Sequence, residues 1–141
     1  MKEIKFPYIK YLVTPPDVRP ARYVYRPVIP VKLCLDKEEI TFDGLIDSGA
    51  DECTFPGWIA KTLGHNVDRG EKKTFEGIGG SVTAYLHKTQ LKLINTTFPL
   101  DVYYSHEWDD MPFGLLGQAG FFAVFDTFFS YRHKMVILKK R

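Results

Sequence analysis

An acid set in a run of small residues is the first feature of the sequence that could do chemistry. The run is Asp47-Ser48-Gly49-Ala50-Asp51, and it directly follows the apolar pair Leu45-Ile46. In one interpretation Asp47 caps its own backbone in a turn, a common role for aspartate beside serine and glycine. In the other, a buried apolar strand ends by presenting Asp47 to a substrate, where a carboxylate can accept or release a proton. The run alone leaves both interpretations open.

A second run of small residues, Gly77-Ile78-Gly79-Gly80, lies further along the chain. Residues 72–76 and 81–88 flank it, and together the three segments predict a β-hairpin with a glycine-rich tip. Glycine adopts backbone conformations that other residues resist, so such a tip is mobile. An ordinary hairpin turn is the alternative interpretation.

A third segment, Leu115-Leu116-Gly117 followed by Gln118, is apolar and interrupted by glycine. It predicts a short strand that packs in the core. Core packing and support of a functional loop are compatible roles for such a segment.

Short alternating stretches are the main structural signal in the rest of the chain. Val31, Leu33 and Leu35 alternate with other residues, and the pattern resumes after the polar residues 36–39, which predicts a hairpin leading into Asp47. Further predicted strands cover residues 91–93, 98–104, 113–118, 125–129 and 135–138. One short helix is predicted over residues 56–63, because glycine at position 64 suits a helix end. The class is therefore mostly β, with a barrel-like or sandwich-like core.

The first 27 residues differ from the rest because they are rich in proline. Proline removes a backbone donor, so residues 1–27 predict an extended N-terminal arm with interruptions. Ile4, Phe6 and Tyr8 could form one face of a short strand, and the arm could lie along a partner subunit or wrap its own domain. Residues 28–141 are the predicted main domain, which contains the acidic run, the glycine-rich run and the Leu-Leu-Gly segment.

The acidic run, the glycine-rich hairpin and the Leu-Leu-Gly segment resemble, in type and order, motifs of the retropepsin family. These are the aspartic proteases of retroviruses and their cellular and prokaryotic relatives. In that family an Asp-Thr/Ser-Gly-Ala loop supplies the catalytic acid, a glycine-rich flap covers the substrate, and an apolar-apolar-Gly segment packs beneath the loop. The resemblance runs from about Val28 to Leu138. It implies a retropepsin-like acid protease barrel with one short helix and a flap hairpin.

The resemblance also assigns a role to each residue of the acidic run. Asp47 would be the catalytic acid, and the hydroxyl of Ser48 would join a hydrogen-bond lattice between two such loops. Gly49 would let substrate and water approach the backbone. Ala50 would keep the floor of the cleft small, and Asp51 would lie beside the substrate.

The glycine-rich hairpin would be the flap that binds substrate. Ile78 at its tip would fold over the substrate, while Gly77, Gly79 and Gly80 would give the freedom needed to open and close.

The supporting segment contains one departure from the family pattern. Leu115, Leu116 and Gly117 match it, but Gln118 stands where retroviral members commonly carry an arginine that pairs with the second aspartate of the loop. An amide could still donate a hydrogen bond to Asp51, although without the charge.

Peptide hydrolysis by this route needs two acids that share one proton. The sequence contains no second Asp-Ser/Thr-Gly, so the resemblance implies a homodimer in which each chain contributes one Asp47. The expected function is an aspartic endopeptidase acting on an extended peptide or protein substrate. A non-proteolytic retropepsin-like module for dimerisation or peptide binding is the alternative, and a β-rich binding domain unrelated to proteases is a third possibility.

The composition limits partners and cofactors. The net charge is only +2 and basic residues are scattered, so we expect no nucleic-acid partner. Neither the two cysteines nor the polar loop with His106, Asp109 and Asp110 has a recognised metal-ligand spacing, so we expect no metal and no cofactor. No segment is long and apolar enough to span a bilayer, so we expect no membrane association and a cytoplasmic protein.

Overall fold

The computed structural model describes residues 2–141, and most of their regular structure is strand. The strands are β1 Glu3–Pro7, β2 Ile9–Leu12, β3 Tyr23–Arg26, β4 Val28–Leu35, β5 Glu38–Ile46, β6 Cys53–Pro56, β7 Glu71–Gly77, β8 Gly80–Leu93, β9 Thr96–Ser105, β10 Gly114–Leu116, β11 Phe125–Ser130 and β12 Met135–Lys140. The helical segments of this part of the chain are the α-helix α1 Gly57–Leu63, the 3₁₀ turns Val67–Arg69 and His106–Trp108, and the π turn Gln118–Phe122. The predicted mostly β class with one short helix is confirmed.

A closed barrel forms the centre of the structure. Its strands follow the order β4, β5, β10, β6, β9, β8, and β8 pairs back onto β4, so the ring closes. β7 lies outside the ring and pairs with β8 only. Two pairings, β10 with β5 and β6 with β9, are parallel, and the others in this sheet are antiparallel. The predicted barrel is therefore confirmed.

Alternating apolar residues fill the barrel as the sequence pattern predicts. Val31 and Leu33 of β4 are 1% and 0% exposed, whereas Pro30 between buried neighbours is exposed. Successive side chains of a strand point to opposite sides of the sheet, so this alternation places one side of β4 in the core. Phe55 and Tyr104, on the parallel pair β6 and β9, are among the largest fully buried side chains.

Helix α1 closes one side of the barrel, one residue later than predicted. Pro56 still belongs to β6 and serves as the N-cap, while Ile59 and Leu63 are buried. Gly64 caps the helix after Leu63; its φ of 101° is left-handed and its N–H donates to the carbonyl of Lys61. Glycine adopts this conformation without strain. No helix within residues 2–141 is long and apolar enough to cross a membrane.

The N-terminal arm wraps its own domain. β1 pairs with β12, and β12 also pairs with β11, which makes the three-stranded terminal sheet β1–β12–β11. Ile4, Phe6 and Tyr8 pack against the core, as their alternation predicts. The proline-rich arm also contains a hairpin of β2 and β3 that the sequence pattern did not predict. The domain boundary between residues 27 and 28 stays a prediction.

Candidate active site

Asp47 stands at the end of β5, where the barrel opens into a tight loop. Ile46 before it is buried, and the N–H of Asp47 donates to the carbonyl of Leu116 at 3.0 Å. Its Oδ1 accepts from the N–H of Gly49 at 2.9 Å, and the N–H of Ala50 donates to its carbonyl at 3.1 Å. The hydrogen bond from the N–H of Gly49 to Asp47 Oδ1 is the one that the turn interpretation predicts. It also fixes the orientation of a carboxylate that stays partly exposed, so a catalytic role is equally compatible with it.

The segment after β10 supports this loop from beneath. Gly117 is buried, and a Cβ at this position would overlap the carbonyl oxygens of Glu52 and Ala50. Next in the chain, the N–H of Gln118 donates to the carbonyl of Ala50, and that of Ala119 donates to the carbonyl of Asp51, both at 2.9 Å. The loop and its support therefore pack at a distance that only glycine at position 117 permits.

The side chain of Gln118 takes a different partner from the one considered from the sequence. Its Nε2 donates to the carbonyl of Ser48 at 2.8 Å and not to Asp51. Asp51 is exposed and is held through its backbone. An amide reaches a backbone carbonyl with one hydrogen bond and needs no charged partner, so Gln118 bonds the loop through the Ser48 carbonyl.

Cys53 is a supporting residue that the sequence did not reveal. Its buried thiol accepts from the N–H of Gly117 at 3.3 Å and donates to the carbonyl of Ala119 at 3.5 Å. Burial raises the pKa of Cys53, so it remains a neutral thiol that can donate. The cysteine thus ties the support segment to β6.

The β7–β8 hairpin has the glycine-rich tip that the sequence predicts. Gly77 pairs with Gly80, which leaves Ile78 and Gly79 as a two-residue turn. Gly80 has a φ of 122°, a conformation that side-chain-bearing residues rarely adopt. Ile78 is fully exposed at the tip.

A cleft of about 420 Å³ lies between the acidic loop and this hairpin. Gly49, two residues beyond Asp47, lines one wall, and the strand residues Thr74, Phe75 and Glu76 line another. The remaining lining includes the apolar side chains Phe55, Trp108, Met111, Phe113 and Leu115. An apolar cleft with acids at its rim is suited to side chains of a polypeptide.

Comparison with known proteins finds similarity in structure and not in sequence. No sequence-family model and no curated protein matches the chain. A retropepsin-like aspartic protease from Rickettsia conorii superimposes with a TM-score of 0.62 at 16% sequence identity, over 98% of this chain and 99% of that one. The EIAV protease, in its complex with the inhibitor HBY-793, superimposes with a TM-score of 0.50 at 21% identity, over 66% of this chain and 82% of that one. The chain has the retropepsin fold.

Within the retropepsin fold, the predicted site residues fall into two groups. Hydrogen bonds between residues 116–119 and residues 47–51 join the acidic loop to its support. The glycine-rich tip lies on the hairpin whose first strand lines the same cleft. The structure therefore brings the loop, its support and the base of the hairpin together, while residues 77–80 extend away from them and are exposed.

An ion pair and an aromatic cluster join the loop to the hairpin. Lys73 Nζ lies 3.7 Å from Glu52 Oε2, and it also lies over the rings of Phe75 and Tyr103 at 4.9 and 5.2 Å from their centroids. Phe75 in turn contacts Trp108 edge to face at 5.6 Å. Partial burial and the nearby Glu52 raise the pKa of Tyr103. The sequence did not indicate these residues, because the cluster forms only when four separate segments meet.

A second contact holds the hairpin where it leaves the barrel. The last β8–β9 pair joins Tyr85 to Tyr104, and Thr83 lies beyond it. Both backbone groups of Thr83 are nevertheless bonded, because its N–H donates to Glu107 Oε2 at 3.0 Å and its carbonyl accepts from Ser105 Oγ at 2.7 Å. We call Ser105, Glu107 and Thr83 the hairpin clamp.

The polar loop with His106 has a structural role. His106 Nδ1 lies 2.8 Å from Asp109 Oδ2, and Asp109 Oδ1 accepts from the N–H of Trp58 in the first turn of α1. The bond satisfies one of the N–H groups that a helix start leaves without an internal partner. Among residues 2–141, no three His, Cys, Asp or Glu side chains are grouped so as to hold a metal ion.

Proposed function

We propose that the chain is an aspartic endopeptidase that acts as a homodimer, with Asp47 as its catalytic residue. The observation that carries the proposal is the position of Asp47 in a retropepsin fold. It is partly exposed at the end of a buried strand, oriented by the N–H of Gly49, and next to an apolar cleft. A carboxylate with one oxygen held in place is ready to act on a bound water through the other.

The proposed reaction needs the Asp47 carboxylates of two chains. One is ionised and takes a proton from water, while the other is protonated and polarises the scissile carbonyl. Two carboxylates at hydrogen-bonding distance resist simultaneous ionisation, so the pair retains one proton. The activity should therefore rise and then fall with pH.

The residues around Asp47 position the reacting groups in this proposal. The Ser48 hydroxyl bonds the partner loop, while Gly49 and Ala50 leave room for substrate and water. Asp51 lies beside the bound peptide. The β7–β8 hairpin acts as the flap, with Ile78 closing over the peptide and excluding water.

An extended peptide fits the proposed site better than a compact ligand. β7 has a free edge, because it pairs with β8 only, and a peptide strand can pair with such an edge through its backbone. Its side chains would alternate in direction, and one could enter the apolar cleft beside Phe55, Trp108 and Phe113. We therefore expect preference for a bulky apolar residue near the cleaved bond.

Incubation of the purified chain with an unbiased peptide library tests the proposal. We expect cleavage by the parent and by Asp43→Asn, which changes an acid on the same strand, and none by Asp47→Asn at an unchanged melting temperature. Cleavage that persists in Asp47→Asn would contradict the proposal. Peptide binding without cleavage by the parent would favour the non-proteolytic module instead.

A further inference from the structure

Three polar side chains form a hydrogen-bonded chain from the barrel core towards the surface. Tyr104 of β9 and Thr89 of β8 are 0% and 3% exposed, and Thr89 Oγ1 lies 2.9 Å from the hydroxyl oxygen of Tyr104. On its other side, Thr89 Oγ1 lies 3.3 Å from Nε2 of His65, which follows helix α1 and is partly exposed. The chain therefore joins a buried phenol to a ring that protons from solvent can reach.

The burial of Tyr104 fixes the direction of each hydrogen bond in this chain. Burial raises the pKa of Tyr104, so the phenol keeps its proton. In the described part of the structure its hydroxyl has one partner, Thr89, and it must donate there or leave its proton without an acceptor. Thr89 then donates its single proton to Nε2 of His65. His65 must therefore be neutral, with its own proton on Nδ1.

Protonation of His65 is incompatible with this order of donors. Nε2 would then carry a proton and would have to donate to Thr89. The Thr89 proton would be left without an acceptor, or it would point at Tyr104, whose own proton would then have none. A buried donor without a partner destabilises the fold, so one buried hydroxyl opposes the charge on His65 in either arrangement.

Three titratable groups surround His65. They are His87 of β8, whose ring centroid is 4.5 Å away, Tyr104 of β9 and the exposed Asp36 between β4 and β5. Burial contributes most to lowering the pKa of His65 and the neighbouring His87 contributes next, whereas Asp36 acts in the opposite direction. The surroundings of His65 therefore disfavour a charge, as the hydroxyl chain does.

His65 begins a short segment that leads directly into the β7–β8 hairpin. We call residues 65–70 the latch segment, and β7 starts at the next residue. The carbonyl of Val67 in this segment accepts from His87 Nε2 at 2.9 Å. A Cβ at Gly70 would overlap the same ring nitrogen, so the segment lies directly on β8. Two side-chain hydrogen bonds, one from each histidine ring, therefore hold it there.

The two histidines respond differently to acid. His87 donates from Nε2 to a carbonyl, and the ring keeps that proton whether it is neutral or charged. His65 accepts at Nε2, so a proton there removes the acceptor. We propose that His65 is an acid-sensitive latch, whose protonation releases the latch segment from β8 and frees the start of the β7–β8 hairpin. The latch is a property of the fold, so it goes beyond the proposed proteolysis and does not depend on it.

Native-state hydrogen exchange in low urea tests whether the latch segment opens by itself. Protection factors are compared, because they remove the intrinsic effect of pH on exchange. Between about pH 7.5 and about pH 5 the protection of residues 69–73 should fall by about tenfold, because the open state accepts a proton on His65 that the closed state resists. This exchange should depend little on urea, unlike that of residues 31–33 in the barrel. An equally steep urea dependence in both segments would overturn the latch, because acid would then act only through unfolding of the whole domain.

Two glutamine variants separate His65 from the other histidines. His65→Gln keeps an oxygen that can accept from Thr89 but takes up no proton, so the protection of residues 69–73 should change by less than about twofold with pH. His133→Gln is the matched control, since His133 Nδ1 also lies 2.9 Å from a hydroxyl, that of Ser130, but its ring is exposed. This control should keep the full change. A tenfold change that persists in His65→Gln would overturn the proposal.

The tautomer of His65 supplies a measurement that does not depend on exchange. Long-range proton–nitrogen NMR spectra at neutral pH should show the ring proton of His65 on Nδ1. The double variant Thr89→Val/Tyr104→Phe replaces both hydroxyls with apolar groups of similar shape. It should move the pKa of His65, measured by NMR titration, upwards towards 6.5. A proton on Nε2 in the neutral parent, or an unchanged His65 titration in the folded double variant, would overturn the proposal.

Discussion

The hairpin clamp predicts that Glu107 controls the position of the β7–β8 hairpin. Glu107→Ala removes the acceptor for the N–H of Thr83, which is bonded at 3.0 Å. A hydrogen bond to a charged group contributes about 1.5–3 kcal/mol, and because Glu107 is exposed we expect only about 1 kcal/mol here. This is equivalent to a change of about fivefold in the ratio of docked to detached hairpin.

The loss should fall on the hairpin and not on the whole fold. Thr83 lies beyond the last β8–β9 pair, so the hairpin can detach from this point outward while the barrel stays paired. Amide hydrogen exchange at Thr83 and in residues 75–82 should therefore accelerate by about fivefold in Glu107→Ala. The kcat/KM for a cleaved peptide should fall by at most the same factor, and the melting temperature should change by less than about 2 °C.

Glu107→Gln is the matched control, since the amide keeps an oxygen that can accept from Thr83. It should resemble the parent in both hydrogen exchange and kcat/KM. The reasoning fails if Glu107→Ala leaves both quantities unchanged. It fails equally if the glutamine variant behaves like the alanine variant, because the hydrogen bond would then not be the cause.

Two further predictions concern the hairpin tip and the response to acid. Gly80→Val should depress kcat more than Gly79→Val, with little change in the free energy of unfolding, because only Gly80 of the two has a positive φ. Equal effects on kcat, measured with the same peptide, would refute this. The pKa of His65 is lowered from 6.5 by burial and by the ring of His87 4.5 Å away, so the folded state resists protonation. The free energy of unfolding in urea should therefore fall as the pH drops below 6.5 through the lower folded-state pKa, and His65→Gln should reduce this dependence.

The strands around the acidic loop were predictable because their residues alternate. Val31 and Leu33 are two residues apart on β4 and both point into the core, and the apolar end of β5 leads directly into Asp47. Both features depend only on residues close together in the sequence, so the local sequence pattern predicts them. The glycine tip of the β7–β8 hairpin is local in the same way.

The residues that the sequence did not indicate are bonded to distant partners. Cys53 contacts Gly117, 64 residues away, and Thr83 contacts Glu107, 24 residues away. A cysteine in an apolar stretch is equally compatible with plain core packing, so its type carries no signal of the hydrogen bond. The β2–β3 hairpin was missed for another reason, because its strands have four residues each and lie among prolines that favour an irregular arm.

The central claim is that two chains share one active site through Asp47, and a mixing experiment tests it most directly. A fixed amount of parent is mixed with increasing Asp47→Asn chain at concentrations above the dimer Kd, and cleavage is measured after the subunits exchange. A hybrid dimer retains one acid and should be inactive, so a ninefold excess should lower the activity per parent chain by about tenfold. The same excess of Asp43→Asn should not lower it. Activity that stays proportional to the parent chain at every excess of exchanging Asp47→Asn would contradict the shared site.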